Sequence, residues 1–264
     1  MDTTAYLQRI GYHGDLTPSS TVLRTLHAAH LERVPFENLD IHLGRTIGLR
    51  EAGLFAKVVT HRRGGFCYEL NGLFAWLLER LGFVVTRLSA GVMGNGRFGP
   101  AYDHLALLVA LEEPWLVDVG FGQSFRDPLR LVESVEQAQR GDVYRLDRVG
   151  GMWVMSERPG DGDWAERYRF DLVPRRLRDF ADRCRYHEQS PDSSFARRRV
   201  CSVATAGGRV TVTGMTLIET TGRIRQETRV GSDEEYRATL RDRFGVEVGD
   251  AAWRHPLPGG ERDR

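Results

Sequence analysis

His61-Arg62-Arg63-Gly64-Gly65-Phe66-Cys67 runs into Tyr68-Glu69-Leu70-Asn71-Gly72-Leu73-Phe74-Ala75-Trp76-Leu77-Leu78-Glu79-Arg80-Leu81. Leu70, Leu73, Phe74, Leu77, Leu78 and Leu81 fall at i, i+3, i+4, i+7, i+8 and i+11, which predicts a helix with a single apolar face, stopped at Gly82. The glycines ahead of it let the backbone turn sharply, so Cys67 is expected at the helix N-terminus. Unpaired N–H groups and a partial positive charge there favour a thiolate. A packed, unreactive thiol is the plain alternative. Cys184 and Cys201 lack this setting, and Cys201 falls in a strand pattern where a small buried hydrophobe is expected.

Outward from this point the chain changes character twice. Before it, Leu23, Leu26, His27 and His30 to Leu31 recur at helical spacing behind Pro18-Ser19-Ser20, a loop is expected over 34–38, and an apolar stripe runs over 54–60. After it come strand-like segments at 83–92, 104–111, 115–119, 143–146, 152–156 and 168–172, a density that predicts an antiparallel barrel or sandwich. Pro174 opens a further helix and 190–194 reads as a loop. Strands follow at 200–204, 209–219 and 223–230, then a helix over 233–244 entered through Ser232 with Glu235 as a capping box. The order is helical, then β, then a smaller α/β part: an α+β chain.

His104 heads one of these strands and Asp118 interrupts the next, where a carboxylate is costly unless hydrogen-bonded. A two-residue turn at Glu112-Glu113 would put the two side chains on opposite faces, whereas an odd-numbered or bulged connection puts them on one face. They would then be direct or diagonal neighbours, roughly 5–8 Å apart at Cβ. A thiol at a helix start, an imidazole and a carboxylate that fixes the imidazole tautomer make a nucleophile suited to acyl transfer. The alternative is a satisfied strand-end histidine and a turn-capping acid.

The 264 residues carry 37 basic and 36 acidic side chains, so no single-sign field is present to capture nucleic acid or a membrane. An apolar share of 41% with 28% charged residues fits a chain with a real core. No apolar run approaches the ~20 residues needed to span a bilayer, and Met1 to Ile10 has no signal-peptide pattern. The three cysteines show no CxxC spacing, so neither a disulfide framework nor a metal site is expected, and the thiols read as reduced and cytoplasmic. Lys57 is the only lysine, and by itself carries no functional message. Gly120-Phe121-Gly122-Gln123-Ser124 lacks the Gly-Lys-Ser/Thr of a nucleotide P-loop.

Arg63 to Asn71, Asp103-His104-Leu105, Leu116 to Gly122 and Val34 to Leu39 together closely resemble the arylamine N-acetyltransferases in order and spacing, and Tyr186 to Phe195 resembles the family segment leading to its third domain. The resemblance implies a helical bundle over 1–82, an antiparallel β-barrel over 83–185 and an inter-domain segment with an α/β lid over 186–264. A Cys-His-Asp core like that of the cysteine proteases would lie at their junction. It implies ping-pong transfer of an acetyl group from acetyl-CoA to an aromatic amine or hydrazine, with Cys67 as nucleophile, His104 as base and Asp118 orienting it. It further implies that Arg63 pairs with Glu37 to hold two loops; were that pair on the surface it would contribute only about 0–1 kcal/mol.

Phe36, Phe66, Phe121 and Phe195 are candidate apolar walls for an uncharged amine. Gly120 and Gly122 are candidate backbone donors to the CoA phosphates, with Arg126 and Arg197-Arg198-Arg199 as basic candidates. The same triad would serve an amide synthase fed by a carrier protein, a papain- or transglutaminase-like thiol hydrolase, or a CoA-binding module with an unreactive cysteine. The oligomeric state is left open.

Overall fold

The computed structural model describes residues 1–249, 252 and 253; the end of the expected 186–264 segment lies outside the described residues. The helical part comprises α1 (Thr3–Ile10), α2 (Ser20–Arg33), α3 (Leu39–Leu43), α4 (Glu51–Phe55), which continues as a π-turn (Ala56–Thr60), and α5 (Cys67–Arg80). Ser19 caps α2 by accepting the Val22 N–H. The loop expected over 34–38 contains a two-residue strand, β1 (Phe36–Glu37).

The chain then forms β2 (Val84–Gly94), β3 (Arg97–Phe98), β4 (His104–Ala110), β5 (Pro114–Val117), β6 (Leu129–Arg130), β7 (Gln137–Gln139), β8 (Asp142–Val149), β9 (Met152–Pro159) and β10 (Ala165–Phe170). All pair antiparallel in the order β6-β5-β4-β2-β10-β9-β8-β7, with β3 beside β2. The Gln137 side chain bridges the two ends, accepting from Arg130 N and donating to Arg130 O, and so nearly closes the sheet into a barrel. Pro174 does not open a helix directly. Arg175 first bridges back to Arg87, and the helical segment begins as a 3-10 turn (Leu177–Phe180) leading into α6 (Ala181–Gln189).

After the short α7 (Ser194–Arg197), strands β11 (Val200–Thr205), β12 (Gly208–Thr213), β13 (Thr216–Thr221) and β14 (Ile224–Arg229) follow in order from β1, with α8 (Asp233–Phe244) packed on β11 and β12. The single strand expected over 209–219 is thus two, separated by Gly214 at φ 57° and Met215; the continuous apolar alternation hid a tight hairpin.

α5 departs most from its expected single face, because every residue from Cys67 to Leu78 is buried. The helix lies between α1 and α4 on one side and β2 and β4 on the other, so both sides are covered. Each fully buried leucine there contributes about 1.5–3 kcal/mol relative to exposure. β4 is buried on both faces in the alternating manner of a strand: Leu105, Leu107 and Val109 join the helical core, while Ala106 joins the barrel interior with Tyr168 and Phe170. β4 is therefore the wall shared by the two cores, and His104 stands at its first position. Among the described residues no helix is long and apolar enough to cross a membrane.

Candidate active site

Cys67 opens α5, and Glu69 caps that helix by accepting the Phe66 N–H at 3.1 Å. The preceding glycines serve close approach rather than a left-handed turn. A Cβ on Gly64 would lie 1.9 Å from the Pro35 carbonyl oxygen, and one on Gly65 would meet the Glu69 side chain at 2.8 Å. The sharp turn falls instead on Arg62, at φ 53°.

Leu107 pairs with Val117 and Ala110 with Pro114, so the hairpin connection is the three residues Leu111 to Glu113, an odd number. The strand stops at Val117 and does not continue through Asp118. Extending the register places Asp118 diagonal to His104 on the same face, and His104 Nε2 meets Asp118 Oδ2 at 2.7 Å. The other carboxylate oxygen accepts from Asn71 Nδ2 at 2.8 Å and from the Gly120 N–H at 2.9 Å. Burial alone would raise the Asp118 carboxyl, but His104, Asn71 and Gly120 outweigh it and hold its pKa below the ordinary value.

Asn71 also donates to the Leu105 carbonyl and accepts the Val119 N–H, tying α5 to β4 and to the loop after β5. Its position four residues after Cys67, on the same side of a helix, is a signal the sequence carried. A Cβ on Gly120 would fall 2.7 Å from the Cys67 Cα, so only glycine fits where the loop meets the helix start. That placement corrects the expectation of a phosphate contact from Gly120, whose buried N–H is already engaged by Asp118. Gly122, at φ 85°, is half-buried beside the Phe36 ring.

Cys67 is only 3% exposed, and burial pushes its thiol pKa well up; a hydrogen bond from the Leu105 backbone opposes this and Asp118 adds to it. The helix N-terminus therefore does not by itself yield the thiolate expected from the sequence.

The family model described as N-acetyltransferase matches residues 20–253. An arylamine N-acetyltransferase of Mycolicibacterium smegmatis is 37% identical, over 96% of this chain and 95% of that protein. The chain belongs to the arylamine N-acetyltransferase family. Among solved structures, the arylamine N-acetyltransferase of Salmonella typhimurium superposes with a TM-score of 0.89 at 33% identity, covering 94% of this chain and 92% of that one. The Mycobacterium marinum arylamine N-acetyltransferase in complex with CoA gives 0.88 at 33% identity, covering 95% of each chain.

Within this arylamine N-acetyltransferase fold the four phenylalanines divide. Phe121 lies edge-on to His104 at 5.2 Å, and the Tyr168 ring is 5.3 Å from the same imidazole. Phe195 lies between Phe36, at 6.1 Å, and Phe66, at 5.6 Å. Phe36, Phe121 and Phe195 are half-buried, but Phe66 is fully buried against Tyr68 and belongs to the core, not to a wall.

Arg63 donates through Nε to Glu37 Oε1 at 2.9 Å and through Nη2 to Asp40 Oδ1 at 3.0 Å. Lys57 Nζ is 2.7 Å from both Asp40 Oδ2 and Glu69 Oε1. The pair is thus interior, part of a five-residue charge network that joins β1, α3, the π-turn, the loop before Cys67 and the cap of α5. Lys57 has a structural role: its ammonium bridges Asp40 of α3 and Glu69 of α5, two carboxylates from separate elements. Burial opposes its charge, yet Glu69, Glu37 and Asp40 hold its pKa above the usual lysine value.

The basic candidates also divide. Arg199 is fully buried beneath the Tyr236 and Trp253 rings and pairs with Asp233, so it is unavailable to a ligand. Arg197 and Arg198 line a cleft with Arg229, while Arg126 lines a separate cavity of about 490 Å³ with Arg140, Arg209 and Arg225. Gln123 and Ser124, just beyond Gly122, border that second cavity.

Proposed function

We propose that this protein transfers an acetyl group from acetyl-CoA to aromatic amines or hydrazines through an acetyl-Cys67 intermediate. The observation that carries the reading is the 2.7 Å His104–Asp118 contact, with Cys67 at the start of α5 hydrogen-bonded by the backbone of Leu105, next to His104, and packed on Gly120, two residues from Asp118. Asp118 engages Nε2, which leaves Nδ1 as the nitrogen that accepts the thiol proton. A lone thiolate in this buried position is costly, but moving a proton from Cys67 to His104 leaves the pair's net charge unchanged, and Asp118 stabilises the imidazolium formed.

The sulfur then attacks the thioester carbonyl, the bond to the CoA sulfur breaks, and the imidazolium returns its proton to the departing thiolate. In the second half the amine attacks the acetyl-Cys67 carbonyl. His104 takes the amine proton and returns it to the cysteine sulfur as the amide leaves. Phe36, Phe121 and Phe195 supply apolar surface for an amine that is uncharged near neutrality, and dry walls protect the acetyl-enzyme from water.

For the phosphates of CoA, the cavity lined by Arg126, Arg140, Arg209 and Arg225 offers the matching charge. Burial, with Arg126 nearby, pushes Arg209 down to about 10, which still leaves it charged at neutral pH and able to gain from an anion. The Gly122 N–H remains a candidate donor on the same route.

Intact-mass analysis after mixing with acetyl-CoA tests the reading: an acetyl-sized gain on Cys67 is expected, stable in water and discharged by an aniline or arylhydrazine. An enzyme that takes up no acetyl group, or loses it to water as fast as to amine, overturns it. Asp118→Asn is expected to lower kcat by about 10³- to 10⁴-fold, because an amide set against Asn71 and Gly120 turns its NH₂ toward His104 and selects the wrong tautomer.

The variant also changes the acid limb of stability. The Asp118 pKa is depressed in the fold, so its contribution is complete above the ordinary value of 3.8 and is lost as pH falls through the lower folded value. Melting curves of wild type and Asp118→Asn are therefore expected to converge as the pH drops below that value.

A further inference from the structure

The segment between β5 and β6 carries Asp118, Gly120, Phe121 and Gly122, yet it forms no regular structure from Asp118 to Arg126. One side chain bonds both of its ends. His27, on α2 and fully buried, places Nδ1 2.9 Å from the Arg126 carbonyl oxygen. Its Nε2 lies 3.3 Å from the Asp118 amide nitrogen and 3.1 Å from the Asp118 carbonyl oxygen. Its ring stacks on Phe125 at 5.8 Å and meets Phe74 of α5 edge-on at 6.3 Å, so the imidazole cannot swing away from either end.

A neutral ring carries one N–H: on Nε2 it would face the Asp118 carbonyl but leave the Nδ1 lone pair 2.9 Å from the Arg126 carbonyl oxygen, whereas on Nδ1 it donates at that shorter contact and the Nε2 lone pair accepts the Asp118 N–H, bonding both ends of the segment. Burial keeps the ring neutral by lowering its pKa, as this assignment requires.

We infer that His27 is a positioning residue for acetyl transfer, holding the Asp118 backbone so that its carboxylate meets His104 and so that Phe121 lies against the same imidazole. The inference rests on the triad reading above. The 2.7 Å contact between Asp118 and His104 leaves little tolerance, and a displacement of about 1 Å in such a group costs as much as 10²-fold in rate.

The two ring nitrogens are separable by substitution in the full-length enzyme. His27→Gln places a polar atom near the position of Nε2 and keeps the Asp118 contact, His27→Asn reaches only toward Arg126, and His27→Phe fills the space with neither bond. The expected order of kcat is wild type, then Gln within about fivefold, then Asn and Phe lower by about 10- to 100-fold. The KM for acetyl-CoA is expected to stay within about threefold of wild type in Asn, which keeps the bond to Arg126, and to rise in Gln and Phe, which release the Arg126 end of the segment that lines the phosphate cavity.

The pH profile of Cys67 alkylation by iodoacetamide should move in Asn and Phe and stay near wild type in Gln, a readout that loss of packing alone does not shift. If Phe does not fold, the Gln and Asn pair decides. Equal kcat in Gln and Asn, or losses that track only the folded fraction with an unmoved alkylation profile, overturns the inference. Wild type that forms no acetyl-Cys67 would instead sink the triad reading, so the two failures are distinguishable.

Discussion

Cys67→Ala is expected to lower kcat/KM by about 10⁴-fold or more with the fold intact. The magnitude follows from how such a set works: once the nucleophile is gone, neither the base nor its orienting acid has a bond to make, and only binding and polarisation remain. Direct attack of the amine on bound acetyl-CoA is what is left. The structural cost is small by comparison. The side chain is buried, but only one sulfur is removed, and Asn71, Glu69 and the glycine contacts that shape the helix start are untouched.

A melting temperature within a few degrees of wild type, an unchanged Kd for acetyl-CoA and no acetyl adduct are the expected companions. Cys67→Ser should resemble alanine more than wild type, because a buried hydroxyl is far harder to ionise than a thiol. Retention of substantial transfer by Cys67→Ala would mean that acetyl passes directly from CoA to amine, and the ping-pong order would fall with it.

What the sequence disclosed here depended on how local the information was. The helix after Cys67 and the parity of His104 and Asp118 are properties of spacing along single elements, so periodicity alone placed a thiol at a helix start and two side chains on one face. The burial of α5 on all sides was not local. Up to Leu78 only Glu69 and Asn71 carry amide or charged side chains, and the pattern of leucines does not reveal that β2 and β4 cover the remaining side.

His27 likewise reads as one more position on the inner face of α2, and nothing near it announces a bond to a loop 91 residues further on. Lys57 is the instructive case. Its presence was visible in the composition, but only the interior arrangement of Asp40 and Glu69 around it gives it a role. Cys67 shows the reverse error. The helix terminus pointed to a low pKa, but the burial that encloses the sulfur acts in the opposite direction and prevails.

Arg63→Met should reduce stability by about 3–5 kcal/mol, for the same non-local reason. The methionine fills much of the space but leaves Glu37, fully buried, with only the Leu39 N–H, and leaves Asp40 dependent on Lys57 and the distal Arg45. Two carboxylates close together in the interior then repel each other and lack the hydrogen bonds that made their burial tolerable. At roughly 2–4 °C per kcal/mol for a chain somewhat smaller than this one, the melting temperature should fall by roughly 6–20 °C.

The exposed pair Arg223–Asp161, with both side chains more than 80% in solvent, is the control: Arg223→Met should change the melting temperature by less than about 2 °C. Glu37→Gln combined with Arg63→Met removes one of the orphaned charges and should recover part of the loss, a coupling that additive surface effects would not produce. Because the network ends at the Glu69 cap beside Cys67, acetyl transfer should decline at temperatures well below the melting point of Arg63→Met. A variant as stable as wild type would show that the interior charges are held by packing alone and that Arg63 is not what keeps the two loops together.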